Sequence, residues 1–238
     1  MKKFNDYIYY MMHDDNNDEP YLFYIKGNRF SLQIDAGNSP KSYKQFEDLL
    51  EEEGLKKPDL LVLTHWHWDH TFGLTSAKCP VIASNKTQEY LKDVLTWSWN
   101  EEDMLQRIKE KKDIEFCYEK MHVEYPDISK ISTRLADIVI DSKITIDLGD
   151  IICELILHDS PHTRDALFIY IPVLKVLIGG DGEYEDYYDN DSKYDRSRVR
   201  DFIMFVEGID FEYYLHGHDG LYLTKKELLE KMRGALNG

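Results

Sequence analysis

The segment "LTHWHWDHTFG" at residues 63–73 places His65, His67, Asp69 and His70 inside six residues. The overlapping stretch "DLLVLTH" is a short continuous apolar run, the pattern of a strand buried on both faces. Side chains two apart on a strand point to one side, so His65 and His67 can hold one ion if the extended geometry persists. Asp69 and His70 lie just beyond, where the chain is expected to turn into a helix and reach a second ion. Imidazole and carboxylate suit Zn²⁺ or its first-row neighbours, whereas Ca²⁺ or Mg²⁺ would take nearly all-oxygen ligands. A lone histidine there would read as a hydrogen-bonded core residue. Four metal-type side chains at this density point to a metal centre.

Outward from this segment, one arrangement occurs twice. "YLFYIKGNRFSLQIDAG" reads as strands over 21–25 and 30–35 joined by a Gly27-Asn28 turn. Tyr43, Phe46, Leu49 and Leu50 then recur at helical spacing between Pro40 and Glu53, with a stop at Gly54. Later, "ALFIYIPVLKVLIGGDG" gives two strand-like runs around 172–175, ending at Asp181-Gly182 as the first pair ended at Asp35-Ala36-Gly37. Val199, Phe202, Ile203 and Val206 mark a helix face, Gly208 its stop, and "FEYYLHGH" a strand running into His216 and His218. Each half thus reads hairpin, Asp-Gly, helix, strand, histidine. Two such sheets packed together would gather these residues along one edge. Between the halves, charge patterns in "NKTQEYLKDVL" and "EEDMLQRIKEKK" predict a helical insertion over about 84–140. "SKITIDLG" and "IICELILH" read as strands leading to "DSPHT". The expectation is one domain over 1–238.

"LTHWHWDH" is similar to the HxHxDH signature of the metallo-β-lactamase superfamily, and "IDAG", "SPHT", "GGDG" and "HGHD" follow in the order of that family's other motifs. The resemblance implies an α+β fold, an αββα sandwich of two β-sheets flanked by helices. It implies that His65, His67 and His162 hold a first metal, that Asp69, His70 and His218 hold a second, and that Asp181 bridges them. Diiron relatives usually carry Glu at the position of His67, so the resemblance favours a zinc-type dinuclear hydrolase: two Zn²⁺ per chain, with Fe or Mn as other candidates. Such a centre lowers the pKa of a shared water to about 7 and polarises the substrate oxygen. Asp69 is the candidate catalytic residue, orienting that water or passing a proton to the leaving group. The first twenty residues and the insertion fall outside the resemblance.

Asp35 and Thr64 are candidates to orient ligand imidazoles, a strand-end cap being the alternative for each. Asp165 is either another supporting group beside His162 or, as the preferred reading, pairs with Arg164 or solvent. His216 competes with His218, and His158 with His162; motif context favours His218 and His162. His13 and His122 are expected at the surface. Substrate contacts are unknown from sequence. Tyr184, Tyr187, Tyr188 and Tyr194, in the acidic segment "GDGEYEDYYDNDSKYDRSRVRD", either rim the site or belong to a solvated loop. Trp97, Trp99 and Met104 form either an aromatic wall over the metals or helical core.

The 238 residues are 42% hydrophobic, enough for a substantial core, and carry 45 acidic against 29 basic residues, a formal charge of −16. That balance repels a phosphate backbone and argues against nucleic acid as a partner. No signal-peptide pattern is visible. The most apolar region, 166–180, is interrupted by Pro172 and Lys175 and falls short of the ~20 residues of a membrane span. Cys79, Cys117 and Cys153 are widely spaced, which suits reduced thiols and a cytoplasmic location rather than a disulfide framework. The reading is a metal-dependent hydrolase of a small-molecule ester, lactone, thioester or phosphodiester. A non-haem iron oxidoreductase on the same fold and a non-catalytic metal-binding sensor are the alternatives.

Overall fold

The computed structural model describes residues 1–188 and 193–237. Two short strands, β1 (Lys2–Lys3) and β2 (Ile8–Met11), precede the first hairpin, β3 (Leu22–Lys26) and β4 (Ser31–Ile34). Helix α1 (Pro40–Glu52) then carries the chain to β5 (Leu60–Val62), which lies parallel to β4. The helix starts where Ser39 accepts from the Ser42 amide at 3.0 Å and Pro40 supplies a preset φ, and it stops before Gly54 at φ +66°. A one-turn helix, α2 (Trp68–Thr71), leads to β6 (Val81–Ser84). Next come α3 (Asn85–Val94), α4 (Glu101–Lys109) and α5 (Glu115–Glu124), and then β7 (Ile138–Ile140). The last residues of the stretch read as helical thus form a strand, paired parallel to β6 at the sheet edge.

Strands β8 (Ile144–Asp147), β9 (Ile152–Leu157), β10 (Leu167–Ile171) and β11 (Val176–Gly180) follow as antiparallel neighbours. Helix α6 (Arg196–Gly208) crosses to β12 (Tyr213–His216), parallel to β11, before β13 (Tyr222–Thr224) and α7 (Lys225–Asn237). The halves are topologically alike: β3-β4-α1-β5 matches β10-β11-α6-β12 in order and strand direction. Sheet orders are β1 to β7 in one and β13-β12-β11-β10-β9-β8 in the other.

Strand alternation divides the core. Phe23, Ile25, Leu32 and Ile34 face Leu155, Ile169, Val176 and Ile178 between the sheets. Leu22 and Tyr24 point outward to Phe46 and Leu50 of α1. Phe168, Leu177 and Tyr214 point outward to Phe202 of α6 and Leu228 of α7. With both faces covered, the central strands read as continuous apolar runs. Helices outside and two sheets inside make this an α+β sandwich. The carboxyl ends of β4, β5, β11 and β12 lie along one edge, the place where α/β-type sheets present functional loops.

Candidate metal centre

After β5 the chain runs through His65 and His67 before α2 begins at Trp68. His162 arrives from the β9–β10 connection, tied to this edge because the Leu167 amide donates to the Thr64 carbonyl at 2.8 Å. His67 Nδ1 stands 3.0 Å from His65 Nε2 and 2.9 Å from His162 Nε2. The far nitrogens decide what these contacts are. Thr64 Oγ1 donates to Asp35 Oδ2 at 2.8 Å and so accepts from His65 Nδ1, 3.0 Å away. His162 Nδ1 donates to the Glu185 carbonyl at 2.7 Å. Both Nε2 atoms therefore carry lone pairs aimed at His67, an arrangement that asks for a cation at their focus.

The second group repeats this logic with carboxylates. His70 Nδ1 donates to Asp35 Oδ2 at 2.8 Å, leaving the Nε2 lone pair 3.0 Å from Asp69 Oδ2 and 3.4 Å from Asp181 Oδ2. His70 Nε2 and Asp181 Oδ1 are buried without a hydrogen bond among the described residues. His218 Nε2 lies 3.2 Å from Asp69 Oδ2 and 3.5 Å from Asp181 Oδ2. Asp181 Oδ2 also lies 3.8 Å from His162 Nε2, so it faces both groups. Within His65–His67–His162, and separately within Asp69–His70–Asp181–His218, one ligand atom per residue lies within 4.8 Å of the others. Orphaned lone pairs and carboxylates in a buried N/O set fit a first-row divalent metal in each group.

Burial, then the neighbouring imidazoles, hold His65 and His67 well below the usual histidine range. Burial opposes protonation of His70 and His218 too, but the Asp69 and Asp181 carboxylates outweigh it, raising His70 well above its ordinary value and His218 to about 10. Burial likewise opposes ionisation of Asp69 and Asp181, yet the facing histidines hold both carboxyls below the usual range. The pattern is that of two anions demanding positive charge. Backbone features make room for them. Asp35 adopts φ +60° and Gly180 φ +52° where β4 and β11 end. A Cβ on Gly217 would lie 2.1 Å from Asp181 Oδ1, so only glycine lets β12 pass the carboxylate.

The remaining candidates go elsewhere. His216 Nδ1 pairs with buried Glu183 at 2.8 Å, and His158 stacks on Phe205 at 4.3 Å. His122 is exposed, while His13 is half-buried against Tyr21. Asp165 corrects the expectation of an Arg164 or solvent partner: it is buried and accepts from Thr163 Oγ1 at 2.5 Å and Thr87 Oγ1 at 2.8 Å. Arg164 is exposed, and the two threonine hydroxyls hold Asp165 on the inner side of the bend at 164–165. Trp97 and Trp99 flank the Arg107 guanidinium, 4.7 Å from each ring, in a core with Met104, and form no wall over the site.

A cavity of about 660 Å³ opens above both groups. Tyr184, Tyr187 and Tyr188 line it, whereas Tyr194 donates to the Glu183 carbonyl; residues 189–192 of that acidic segment lie outside the described residues. Sequence reasoning missed contributors of three kinds. The Glu185 carbonyl is backbone and leaves no compositional trace. Asp18, pushed up to about 7 by burial and the Asp69 charge, comes from the unassigned amino-terminal stretch. Ile114, Phe116 and Cys117 come from in and beside α5 and resemble any helical apolar residues.

The profile of the metallo-β-lactamase superfamily matches residues 21–235. The chain belongs to that superfamily. Among solved structures it is similar to a metallo-β-lactamase from Pontibacter korlensis, at TM-score 0.64 and 14% identity over 98% of this chain and 97% of that one. A metallo-β-lactamase family protein from Thermus thermophilus gives TM-score 0.67 and 12% identity over 99% and 80%. The stereoselective inverting sec-alkylsulfatase from a Pseudomonas species gives TM-score 0.67 and 14% identity; 99% of this chain covers 40% of that one. At these identities the likeness is one of fold. No curated protein matches the chain. Among the described residues, no helix is long and apolar enough to cross a membrane.

Proposed function

We propose that this protein is a hydrolase with a dinuclear zinc-type centre that cleaves a small-molecule ester, lactone, thioester or phosphodiester. The observation that carries this reading is the pair of buried His/Asp groups, each converging within 4.8 Å and together facing one cavity. His65, His67 and His162 would hold one ion, Asp69, His70 and His218 the other, and Asp181 would face both. Bound there, two dications supply the Lewis acidity that ionises water near neutral pH and the charge that stabilises a developing oxyanion. Asp35 and Thr64 fix the tautomers of His70 and His65, so that their Nε2 lone pairs stay aimed inward. Asp69 lines the cavity and in this reading orients the attacking water or moves its proton toward the leaving group.

The test is metal analysis of protein purified without chelator, followed by turnover assays across the four bond classes. Two zinc-type ions per chain and hydrolysis of at least one class are expected. Stoichiometric iron with redox turnover and no hydrolysis would overturn the reading. Asp181→Ala should lower metal occupancy and cut turnover by at least about 100-fold; a variant with undiminished metal and rate would remove Asp181 from the centre.

A further inference from the structure

One buried carboxylate beside the first metal group belongs to neither ligand set. Asp165 is 1% exposed, and its side-chain partners are hydroxyls: Thr163 Oγ1 donates to Oδ1 at 2.5 Å and Thr87 Oγ1 to Oδ2 at 2.8 Å. The backbone amides of Asp165 itself and of Trp66 also favour its anion. Its own carbonyl accepts from Ser84 Oγ at 3.1 Å. Taking a carboxylate out of water is costly unless its lone pairs are filled, and a carboxylate so placed holds its donors firmly.

These ties lead to the segments that carry the first-group imidazoles. Thr163 directly follows His162 and closes the bend on which that histidine sits: the Ser160 amide donates to the Thr163 carbonyl at 2.8 Å, and the Thr163 amide to Ser160 Oγ at 3.0 Å. The start of the bend is fixed from α6, where buried Arg198 donates through Nε to the Ser160 carbonyl at 2.8 Å. Trp66 stands between His65 and His67. Ser84 and Thr87 supply a rigid anchor, since Ser84 ends β6 and caps α3 by accepting from the Thr87 amide at 2.9 Å. Asp165 therefore joins the bend at 160–165, the run through His65 and His67, and the capped start of α3. None of its side-chain bonds reaches Asp69, His70, Asp181 or His218.

The first group needs such a joint. Its three nitrogens come from two segments about a hundred positions apart, and His67 Nδ1 must stand within 3.0 Å of both His65 Nε2 and His162 Nε2. Ligands are held to that tolerance by the groups behind them, and losing one such group typically weakens a metal about 10- to 100-fold. Resting on the metal centre of the hydrolase reading, we propose that Asp165 is the positioning residue of the first metal group, fixing the His162 bend against the His65–His67 run while touching neither ion nor substrate.

The proposal is tested by zinc affinity of the full chain in competition with a chromophoric chelator, in two backgrounds. Asp69→Ala with His70→Ala leaves the first group, and His65→Ala with His67→Ala leaves the second. Asp165→Ala should weaken zinc at least about tenfold in the first background and leave the second unchanged. Asp165→Asn should recover most of the loss, because Oδ1 still accepts from Thr163 and the amide can donate to Thr87 Oγ1. Equal losses in both backgrounds would make Asp165 a general packing residue and overturn the proposal, as would undiminished affinity in the first or a first background that binds no zinc. Should Asp165→Ala not fold, Thr163→Val removes one hydroxyl at constant shape: a first-group loss of about threefold with the second group unchanged supports the proposal, and no loss overturns it. Zinc behaviour as expected without hydrolysis of any bond class overturns the hydrolase reading alone. Hydrolysis together with an Asp165→Ala chain of unaltered zinc affinity overturns the proposal alone, and an unmodified chain that binds no zinc overturns both.

Discussion

Three of the five imidazoles at the centre are committed by the nitrogen that faces away from it. His65 gives its Nδ1 proton toward Thr64, His70 toward Asp35 and His162 toward the Glu185 carbonyl, which leaves three Nε2 lone pairs pointing inward. Asp35 supports two of these at once, through Thr64 and directly. Its place after an apolar strand and before a glycine was visible in the sequence; its contact with a histidine 35 positions later was not. Gly217 shows how little tolerance this packing has. Alanine there brings a Cβ to 2.1 Å from Asp181 Oδ1 and must displace the carboxylate. Gly217→Ala should fold and yet bind zinc at least about tenfold more weakly in competition with a chromophoric chelator. Unchanged affinity would mean that Asp181 takes no part in holding the ions.

At the scale of elements, the amino-terminal turn, the start of α1 and the end of α5 share one buried polar cluster. Glu124 accepts from Ser39, Asn17 and Lys41, and Glu19 accepts from Ser42. Burial, partly offset by Ser42 and reinforced by Glu124, pushes the Glu19 carboxyl up to about 8. Its folded pKa thus exceeds its unfolded one. The stability it contributes is fully present below about pH 4.5 and is lost as pH rises through about 8. Urea unfolding should therefore show wild-type stability falling by about 2 kcal/mol between pH 6 and 8.5, with Glu19→Gln flattening that slope. Identical slopes would place the titration elsewhere. Periodicity alone could not find this cluster, because glutamates on a turn and on a helix look like solvated surface until the chain folds them together.

At the scale of the whole molecule, the centre joins residues contributed by both sheets. β5 with its following loop and α2 supply four side chains, the β9–β10 connection one, and the ends of β11 and β12 the others. Ions held there bind the folded chain and not the separated segments, so they add stability by mass action. At free metal about 1,000-fold above Kd, one site adds about 4 kcal/mol, and each kcal/mol moves the midpoint of a chain this size by about 2–4 °C. Chelator treatment should lower the thermal midpoint by about 10 °C or more, and added zinc should restore it. A midpoint indifferent to chelator would argue against metal as part of the native fold.

By itself the sequence determined the doubled hairpin-helix-strand plan and the sandwich that follows from it, since apolar period and turn residues act over a few positions and both were intact in each half. It also marked His65, His67, Asp69 and His70, because their types and local spacing are written in the chain, whereas His162, Asp181 and His218 were singled out from other candidates by the resemblance to the superfamily's motifs. Only the tertiary structure decided which nitrogen of each histidine faces inward, that Asp165 is buried, that Trp97 and Trp99 clamp Arg107, and that Asp18 reaches the cavity from outside the matched region. Those outcomes depend on partners tens of residues away. Burial and hydrogen bonding between such partners exist only once the two sheets have closed on each other.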